Sequence, residues 1–193
     1  MEPKTPPTPA EDPLPVLAVD LDGTLIASDL LLECLWDALS RDLPAALGPL
    51  SDLCRGHRAR AKARLAALAS IDLAGLSWNQ AALARVRAHR AAGGRTALVT
   101  AADRHLAEAV AQHLGLFDAV HASDGVTNLK GAAKAAHLTA AYPGPAGFAY
   151  MGDAGADLPV WRASRRAITV GVAPPLRRQV DALGLEVEHL VAG

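Results

Sequence analysis

The sequence lacks the features of secreted, membrane-spanning and nucleic-acid-binding proteins. Its two cysteines, Cys34 and Cys54, show no disulfide or metal-binding spacing, which favours a reduced, cytoplasmic protein. There is no signal peptide, and no apolar run approaches the roughly 20 residues of a membrane span. The net charge of −1 argues against an electrostatic interaction with nucleic acid. We therefore expect a soluble cytoplasmic protein with no membrane span and no nucleic-acid partner.

Aromatic residues and lysines are also scarce. Three tryptophans, two tyrosines and two phenylalanines leave the core mostly to leucine, valine and alanine. The chain has four lysines, at positions 4, 62, 130 and 134, against fifteen arginines. Where arginine is the usual cation, a lysine suggests that a compact point charge is needed. The lysines are therefore candidate functional residues.

The 193 residues suffice for one domain with a small insertion. Residues 1–15 contain six prolines among polar residues and predict a flexible leader. Apolar, β-branched stretches predict strands at residues 16–19, 95–100, 118–121, 148–151 and 167–171, with a sixth at an edge over 185–189. Helices of ten or more residues alternate with these strands. This alternation predicts an α/β fold with a doubly wound parallel sheet.

Residues 29–78 show helical patterns but no strand pattern. One helix is predicted from Asp29 to about Pro44 and a second over 58–69. We interpret residues 29–78 as a small helical cap, inserted after the first strand of a core that comprises residues 16–28 and 79–193. The alternative is that these helices only pack on the core.

Two carboxylates follow the first predicted strand at once. Asp20 and Asp22 share one side of the chain if the backbone stays extended there. Close carboxylates repel each other, so the pair needs a cation or a shared proton. Ligands of open α/β sheets bind at such carboxyl ends of strands. A surface Asp-Gly turn is the simpler explanation if this stretch is taken alone.

The run Asp20-Leu21-Asp22-Gly23-Thr24 resembles the first motif of the haloacid dehalogenase-like hydrolase superfamily. Most members of this superfamily are magnesium-dependent phosphatases. Further residues match its later motifs in the correct order, over roughly residues 16–171: Thr100, Lys130, Gly152-Asp153 and Asp157. The resemblance implies a Rossmann-like core and a cap that covers the active site.

The resemblance also implies roles for the acidic residues. Asp20 would be the nucleophile that forms an aspartyl-phosphate. Asp22 would serve as general acid and then as general base. A magnesium ion would be bound by Asp20, the backbone carbonyl of Asp22 and Asp153, while Asp157 orients a water or the active-site lysine.

Two further elements are expected to hold the phosphoryl group. Thr100 is predicted to end the second strand, where its hydroxyl and the N–H groups from Ala101 onward would bind phosphate oxygens at a helix start. Lys130 is the candidate lysine, with Lys134 one turn later on the same helix face. We favour Lys130 because the helix is predicted to begin there.

Residues 116–131 and 156–161 resemble, more narrowly, the phosphatase-like domain often fused ahead of a UbiA-type prenyltransferase. This implies a membrane prenyltransferase partner and a phosphorylated small-molecule or prenyl substrate. The chain is then either a stand-alone relative or an excised domain. Arg58 and Lys62 match basic positions of these relatives and are candidates for contacting a second anionic group of the substrate. The alternative is a solvated basic face or a patch that meets anionic lipid headgroups.

The expected function is that of a magnesium-dependent phosphomonoesterase with an aspartyl-phosphate intermediate. A phosphomutase would need a cap residue for acid–base chemistry, and none stands out. A third hypothesis is a non-catalytic or weakly catalytic soluble module that binds a phosphorylated prenyl precursor or a membrane partner. Such a module has no need for a nucleophile and its acid together, so the presence of both Asp20 and Asp22 favours the enzyme.

Overall fold

The computed structural model describes residues 14–57, 60–61, 64–65, 72–124 and 128–191. Its centre is a six-stranded sheet of parallel strands in the order β3-β2-β1-β4-β5-β6. The strands are β1 (Val16–Val19), β2 (Thr96–Asp103), β3 (Ala119–Ser123), β4 (Phe148–Gly152), β5 (Arg166–Val170) and β6 (Glu186–Leu190). The predicted α/β fold with a parallel, doubly wound sheet is confirmed, including the sixth strand at the edge.

Seven α-helices are assigned in the described part of the chain, all outside the sheet. They are α1 (Leu30–Arg41), α2 (Leu43–Cys54), α3 (Gln80–Ala91), α4 (Arg104–Leu114), α5 (Ala132–Ala141), α6 (Leu158–Ala163) and α7 (Pro174–Asp181). Short 3₁₀ turns lie at Leu73–Gly75 and Gly155–Asp157. No helix in these described ranges is both long and apolar enough to cross a bilayer.

Side chains alternate between the two faces of each strand and build two separate cores. In β4, Ala149 and Met151 pack on the face that carries α3 and α4. Phe148 and Tyr150 pack on the opposite face, with α5, α6 and α7. The sheet is therefore buried between two layers of helices, as the apolar strands predict.

The structure corrects two of the predicted boundaries and adds one helix. Strand β2 continues to Asp103, three residues beyond its predicted end at Thr100. Helix α2 was not predicted, because Pro44, Gly48 and Pro49 read as helix breakers. Helix α5 begins at Ala132 rather than at Lys130, after Gly131 with a φ of 58°.

The chain enters and leaves the helical insert at one place. The N–H of Asn79 donates to the carbonyl of Leu25 at 2.8 Å, and that of Ala27 donates to Ser77 at 3.2 Å. Within the insert, Cys34, Ala38 and Leu65 form a small buried cluster that also contacts Leu106 of α4. The insert thus has its own apolar centre and rests on the core through α4.

Some predicted features of the insert lie outside the described residues. Of the second predicted helix, residues 60, 61, 64 and 65 are described, and all are helical. Ala61 and Leu65 are fully buried, as the predicted apolar stripe requires. Arg58 and Lys62 are not among the described residues, and neither is most of the predicted leader over 1–15. The interpretation of residues 29–78 as a cap remains a prediction.

Asn79 fixes the start of α3 where the insert ends. Its buried side chain accepts a hydrogen bond from the N–H of Ala82 at 3.1 Å. We expect Asn79→Ala to lower the free energy of unfolding by about 1 kcal/mol, because an orphan N–H loses its acceptor. Asn79→Asp keeps an acceptor and is the matched control. Equal urea midpoints for Asn79→Ala and the wild type would contradict this capping role.

Candidate active site

The candidate site lies where the strand order reverses, between β1 and β4. In a doubly wound sheet this switch point forms a crevice beyond the carboxyl ends of the strands. Asp20 follows β1 directly, and Asp153 follows β4 directly. A cavity of about 330 Å³ opens there. Its lining includes all four predicted acidic residues and both candidate lysines: Asp20, Asp22, Asp153, Asp157, Lys130 and Lys134.

Asp20 is held by two hydrogen bonds at the end of its strand. Its Oδ1 accepts from the N–H of Leu21 at 2.9 Å. Its Oδ2 lies 2.9 Å from the Nζ of Lys134. The carboxylate is fixed in one orientation, with 14% of the side chain exposed to the cavity. The contacts with Leu21 and Lys134 therefore orient the carboxylate, and part of it stays open to the cavity.

The structure reverses the preference for Lys130 over Lys134. Lys130 precedes the helix, and its exposed side chain lines the cavity. Lys134 lies in the first turn of α5, where its side chain is 2% exposed and points at Asp20. The physical reason is the later helix start, which turns Lys134 inward and leaves Lys130 in the preceding loop. The geometry therefore makes Lys134 the better candidate for the active-site lysine.

Tyr150 joins Lys134 to Asp157 beneath the cavity. The hydroxyl of Tyr150 donates to Oδ1 of Asp157 at 2.7 Å and accepts from Nζ of Lys134 at 2.9 Å. Burial and the nearby carboxylates raise the pKa of Tyr150 well above its usual value, so the hydroxyl keeps its proton. Our sequence reasoning missed this residue. The available signal was a tyrosine in a buried apolar strand, whose hydroxyl must find a partner.

Asp157 lies at the buried edge of the cavity lining, where it supports the loop after β4. Its Oδ2 accepts from the backbone N–H of Asp153 at 3.3 Å and of Ala154 at 3.1 Å. Its Oδ1 accepts from Tyr150, and only 3% of the side chain is exposed. Because protein donors occupy both oxygens, Asp157 is less suited than Asp20 or Asp153 to bind a metal directly.

The carboxylate of Asp153 is packed against Gly23 and Thr24, close to the carboxylates of Asp20 and Asp157. Thr24, which is fully buried, donates from its Oγ1 to Oδ1 of Asp153 at 3.0 Å. A Cβ on Gly23 would lie 2.2 Å from the other oxygen, so this position cannot carry a side chain without displacing Asp153. Sequence reasoning gave Thr24 no role, although it lies in the first motif. The loop after β1 therefore orients the carboxylate of β4.

The acidic residues fit a divalent cation. One carboxylate oxygen from each of Asp20, Asp153 and Asp157 lies within 4.8 Å of the others. Burial and the charges of Asp20 and Asp157 raise the pKa of Asp153 to about 7. Lys134 therefore does not offset all the negative charge. Hard oxygen ligands with excess negative charge are what magnesium binds.

Asp22 is tied to the start of the insert. Its Oδ1 accepts a hydrogen bond from the N–H of Leu30, the first residue of α1, at 2.7 Å. The carboxylate lines the cavity and is half-buried. An acidic side chain at a helix N-terminus is favoured by the partial positive charge there. This contact orients Asp22 towards the same cavity as Asp20.

The predicted phosphate contacts from β2 are placed differently from each other. Ala101 lines the cavity, whereas Thr100 is not among its described lining residues. Thr100 is fully buried, and its Oγ1 accepts from the N–H of Ala102 at 3.0 Å. The pairing of β2 with β3 shifts its register between Val99 and Asp103, which creates this irregular stretch. The phosphate contact proposed for Ala101 is compatible with this arrangement, and that for Thr100 would require its hydroxyl to face the cavity.

A match to a known protein family covers the strands and loops that carry this cavity. The profile of the family described as haloacid dehalogenase-like hydrolase matches residues 17–162, which span every acidic residue of the cavity. The chain belongs to this family. This match confirms the resemblance to the superfamily that was read from the sequence motifs.

Individual relatives of this haloacid dehalogenase-like protein are longer or more distant. An uncharacterized protein of Sinorhizobium fredii is 38% identical over 174 residues, which is 90% of this chain and 33% of the relative. The chain thus spans about a third of that relative's length. A crystal structure of a protein of unknown function from Bordetella pertussis has a TM-score of 0.67 at 23% identity, covering 92% and 99% of the two chains. A phospho-aspartyl intermediate analogue of phosphoserine phosphatase has a TM-score of 0.62 at 13% identity, covering 93% and 94%.

The raised pKa of Asp153 predicts a pH dependence of stability in the metal-free hydrolase. The folded protein holds this proton up to about pH 7, whereas the unfolded chain loses it near its usual pKa of 3.8. The contribution of Asp153 to stability therefore declines as the pH rises through this range. In EDTA, Asp153→Asn should gain stability over the wild type as the pH rises from about 4 to about 7. Asp42→Asn, at an exposed position, is the control, and a pH-independent difference would contradict the prediction.

Proposed function

We propose that this protein is a magnesium-dependent phosphomonoesterase that works through an aspartyl-phosphate on Asp20. The observation that carries the proposal is the contact between Asp20 and the buried Lys134 at 2.9 Å, beside Asp153 and Asp157, at the switch point of the sheet. A phosphate dianion cannot approach these carboxylates without compensating positive charge. When bound by Asp20 and Asp153, a magnesium ion would supply that charge next to Lys134.

In the first step, a carboxylate oxygen of Asp20 attacks phosphorus. The new bond joins that oxygen to phosphorus, and the bond from phosphorus to the leaving oxygen breaks. Asp22, protonated at the start of the cycle, gives its proton to the leaving oxygen, since its carboxyl group lines the same cavity and is held by Leu30. Lys134 stabilises the charge on the phosphoryl oxygens, because its Nζ already lies beside Asp20.

The second step returns the enzyme to its resting state. Asp22, now ionised, takes a proton from a water that attacks the phosphorus of the aspartyl-phosphate. The bond between phosphorus and the oxygen of Asp20 breaks, and inorganic phosphate leaves. Splitting the reaction in this way replaces one difficult displacement by two easier ones. The fold is shared with a phospho-aspartyl intermediate analogue of phosphoserine phosphatase, so it is one in which such an intermediate can be held.

The proposed substrate is a phosphate monoester that is small or presents a small phosphorylated head. Beyond the carboxylates and the two lysines, the cavity of about 330 Å³ is lined by five alanines, Gly23, Ser28 and Leu106, which leave room and offer one hydroxyl group. A lipid-linked or prenyl phosphate could present its head group there. The hypothesis of a prenyltransferase partner rests on the sequence resemblance alone, and the contacts proposed for Arg58 and Lys62 lie outside the described residues.

The nucleophile is tested by Asp20→Asn. We expect the rate of hydrolysis of an aryl phosphate with magnesium to fall by at least ~1,000-fold, because a neutral amide cannot form the intermediate. Acid quenching during turnover, followed by borohydride reduction, should convert residue 20 to homoserine in the wild type. Asp42→Asn is the matched exposed control. The covalent route would be refuted if Asp20→Asn kept full activity with deamidation excluded. It would also be refuted if residue 20 of the wild type were not converted to homoserine.

If the wild type shows no magnesium-dependent hydrolysis of aryl, sugar or prenyl phosphates, the enzyme proposal fails. The same preparation should then be tested for binding of inorganic phosphate and prenyl phosphates by calorimetry. Binding without turnover would favour the non-catalytic module. That outcome would leave the contacts of Asp20 and Lys134 as a ligand-binding arrangement.

Matched variants separate the two lysines. Lys134→Met removes the buried charge beside Asp20 and should lower kcat/KM by ~100- to 1,000-fold. Lys130→Met removes an exposed charge and should lower it by no more than about fivefold. Thermal unfolding of both variants shows whether the fold persists. A larger loss for Lys130→Met would restore the preference read from the sequence.

A further inference from the structure

Tyr150 has no role in the proposed reaction, although it is buried and bonded to both Lys134 and Asp157. It is fully buried, and its ring lies edge-on to Trp161 at 6.2 Å between centroids. The Nζ of Lys134 lies 5.4 Å from the centre of its ring and 2.9 Å from its hydroxyl. The only other tyrosine in the sequence, Tyr142, bonds His121 at a distance from the cavity lining.

The hydroxyl of Tyr150 stands between two charges that do not bond directly. Lys134 Nζ and Asp157 Oδ1 are 3.8 Å apart, beyond hydrogen-bonding distance. Each is instead within hydrogen-bonding distance of Tyr150, at 2.9 Å and 2.7 Å respectively. The hydroxyl therefore bridges Asp157 and Lys134 by hydrogen bonds, and it keeps the two charged groups from forming a direct hydrogen bond.

This relay accounts for the orientation of the ammonium group. An ammonium has three N–H donors. One points to Asp20 and one to Tyr150. Among the described residues, the third has no acceptor within hydrogen-bonding distance. Because two donors are engaged and Lys134 lines the cavity, the third remains for a phosphoryl oxygen bound there.

We propose that Tyr150 is a positioning residue that holds Lys134 against Asp20 by standing between Lys134 and Asp157. Without its hydroxyl, Lys134 would move from its present ion pair with Asp157 at 3.8 Å to a direct hydrogen bond with that carboxylate. That movement would withdraw the ammonium from Asp20 and from the phosphoryl group. This inference rests on the proposed phosphatase function, but the position of Lys134 can be measured without turnover.

Tyr150→Phe removes only the hydroxyl and keeps the ring between Lys134 and Trp161. We expect kcat for an aryl phosphate to fall by ~10- to 100-fold, which is typical when the partner of a site residue is lost. KM and the half-saturating magnesium concentration should stay within about twofold, because Asp20 and Asp153 are untouched. Tyr142→Phe is the matched control and should retain full activity. A fall in kcat of less than twofold for Tyr150→Phe would overturn the proposal.

A double-mutant cycle shows whether Tyr150 acts through Lys134. In the Lys134→Met background, Tyr150→Phe should change kcat by less than about threefold, since there is no ammonium left to position. A tyrosine that merely supported the fold would lower kcat equally in both backgrounds. A rise in the half-saturating magnesium concentration that persists in the Lys134→Met background would assign the effect to Asp157 instead. Either result would overturn the proposed role.

A spectroscopic readout keeps this inference separate from the proposed function. The chain has four lysines, so the buried ammonium of Lys134 can be assigned in ¹H–¹⁵N spectra by its loss in Lys134→Met. Its signal should shift in Tyr150→Phe and stay in place in Tyr142→Phe. An unchanged signal in Tyr150→Phe would refute the positioning role. If the wild type were inactive but the Lys134 signal still shifted in Tyr150→Phe, the proposed enzymatic function would be refuted. The proposed contact between Tyr150 and Lys134 would stand.

Discussion

The repulsion among carboxylates at the switch point of the sheet is the constraint on which the site depends. Parallel strands deliver Asp20 and Asp153 to the same edge, and the loop after β4 adds Asp157. A single buried cation, Lys134, lies among them in the described structure. The surrounding bonds from Thr24, Tyr150 and backbone N–H groups keep the charges apart and oriented. The excess negative charge that remains fits a divalent ion and, with it, the phosphate ester that is proposed as the substrate.

The residues that orient the site are different from those that are open to the cavity. Asp157 and Tyr150 are buried, and their polar atoms are bonded to protein groups. Asp20 and Asp153 keep part of their surface open to the cavity. Buried polar networks are stable only when each member is satisfied, and this one is satisfied on its inner side. The open side is thus the part in which ligands can replace solvent.

The fold and the acidic residues of the site could be predicted from the sequence because each depends on a local pattern. Alternating apolar strands and amphipathic helices specify the parallel sheet, and carboxylates directly after two strands must meet at its edge. The choice of lysine could not be predicted in the same way. It depends on whether α5 begins at residue 130 or 132. The helix begins at 132 because Gly131 has a positive φ, and the conformation of that glycine is seen only in the structure. The role of Tyr150 likewise depends on contacts between β4 and α5, which no spacing in the sequence shows.

The bond from Leu30 to Asp22 ties the helical insert directly to the site, whether or not the insert acts as a cap. The first N–H of α1 holds the carboxylate that is proposed to exchange protons with the leaving group and with water. Helix α1 in turn packs within the insert through Cys34 and Ala38. A chimera that carried the insert of another protein would therefore change the orientation of Asp22 as well as the surface of the insert beside the cavity. In such exchanges, the rate of the chemical step and the range of accepted substrates would change together.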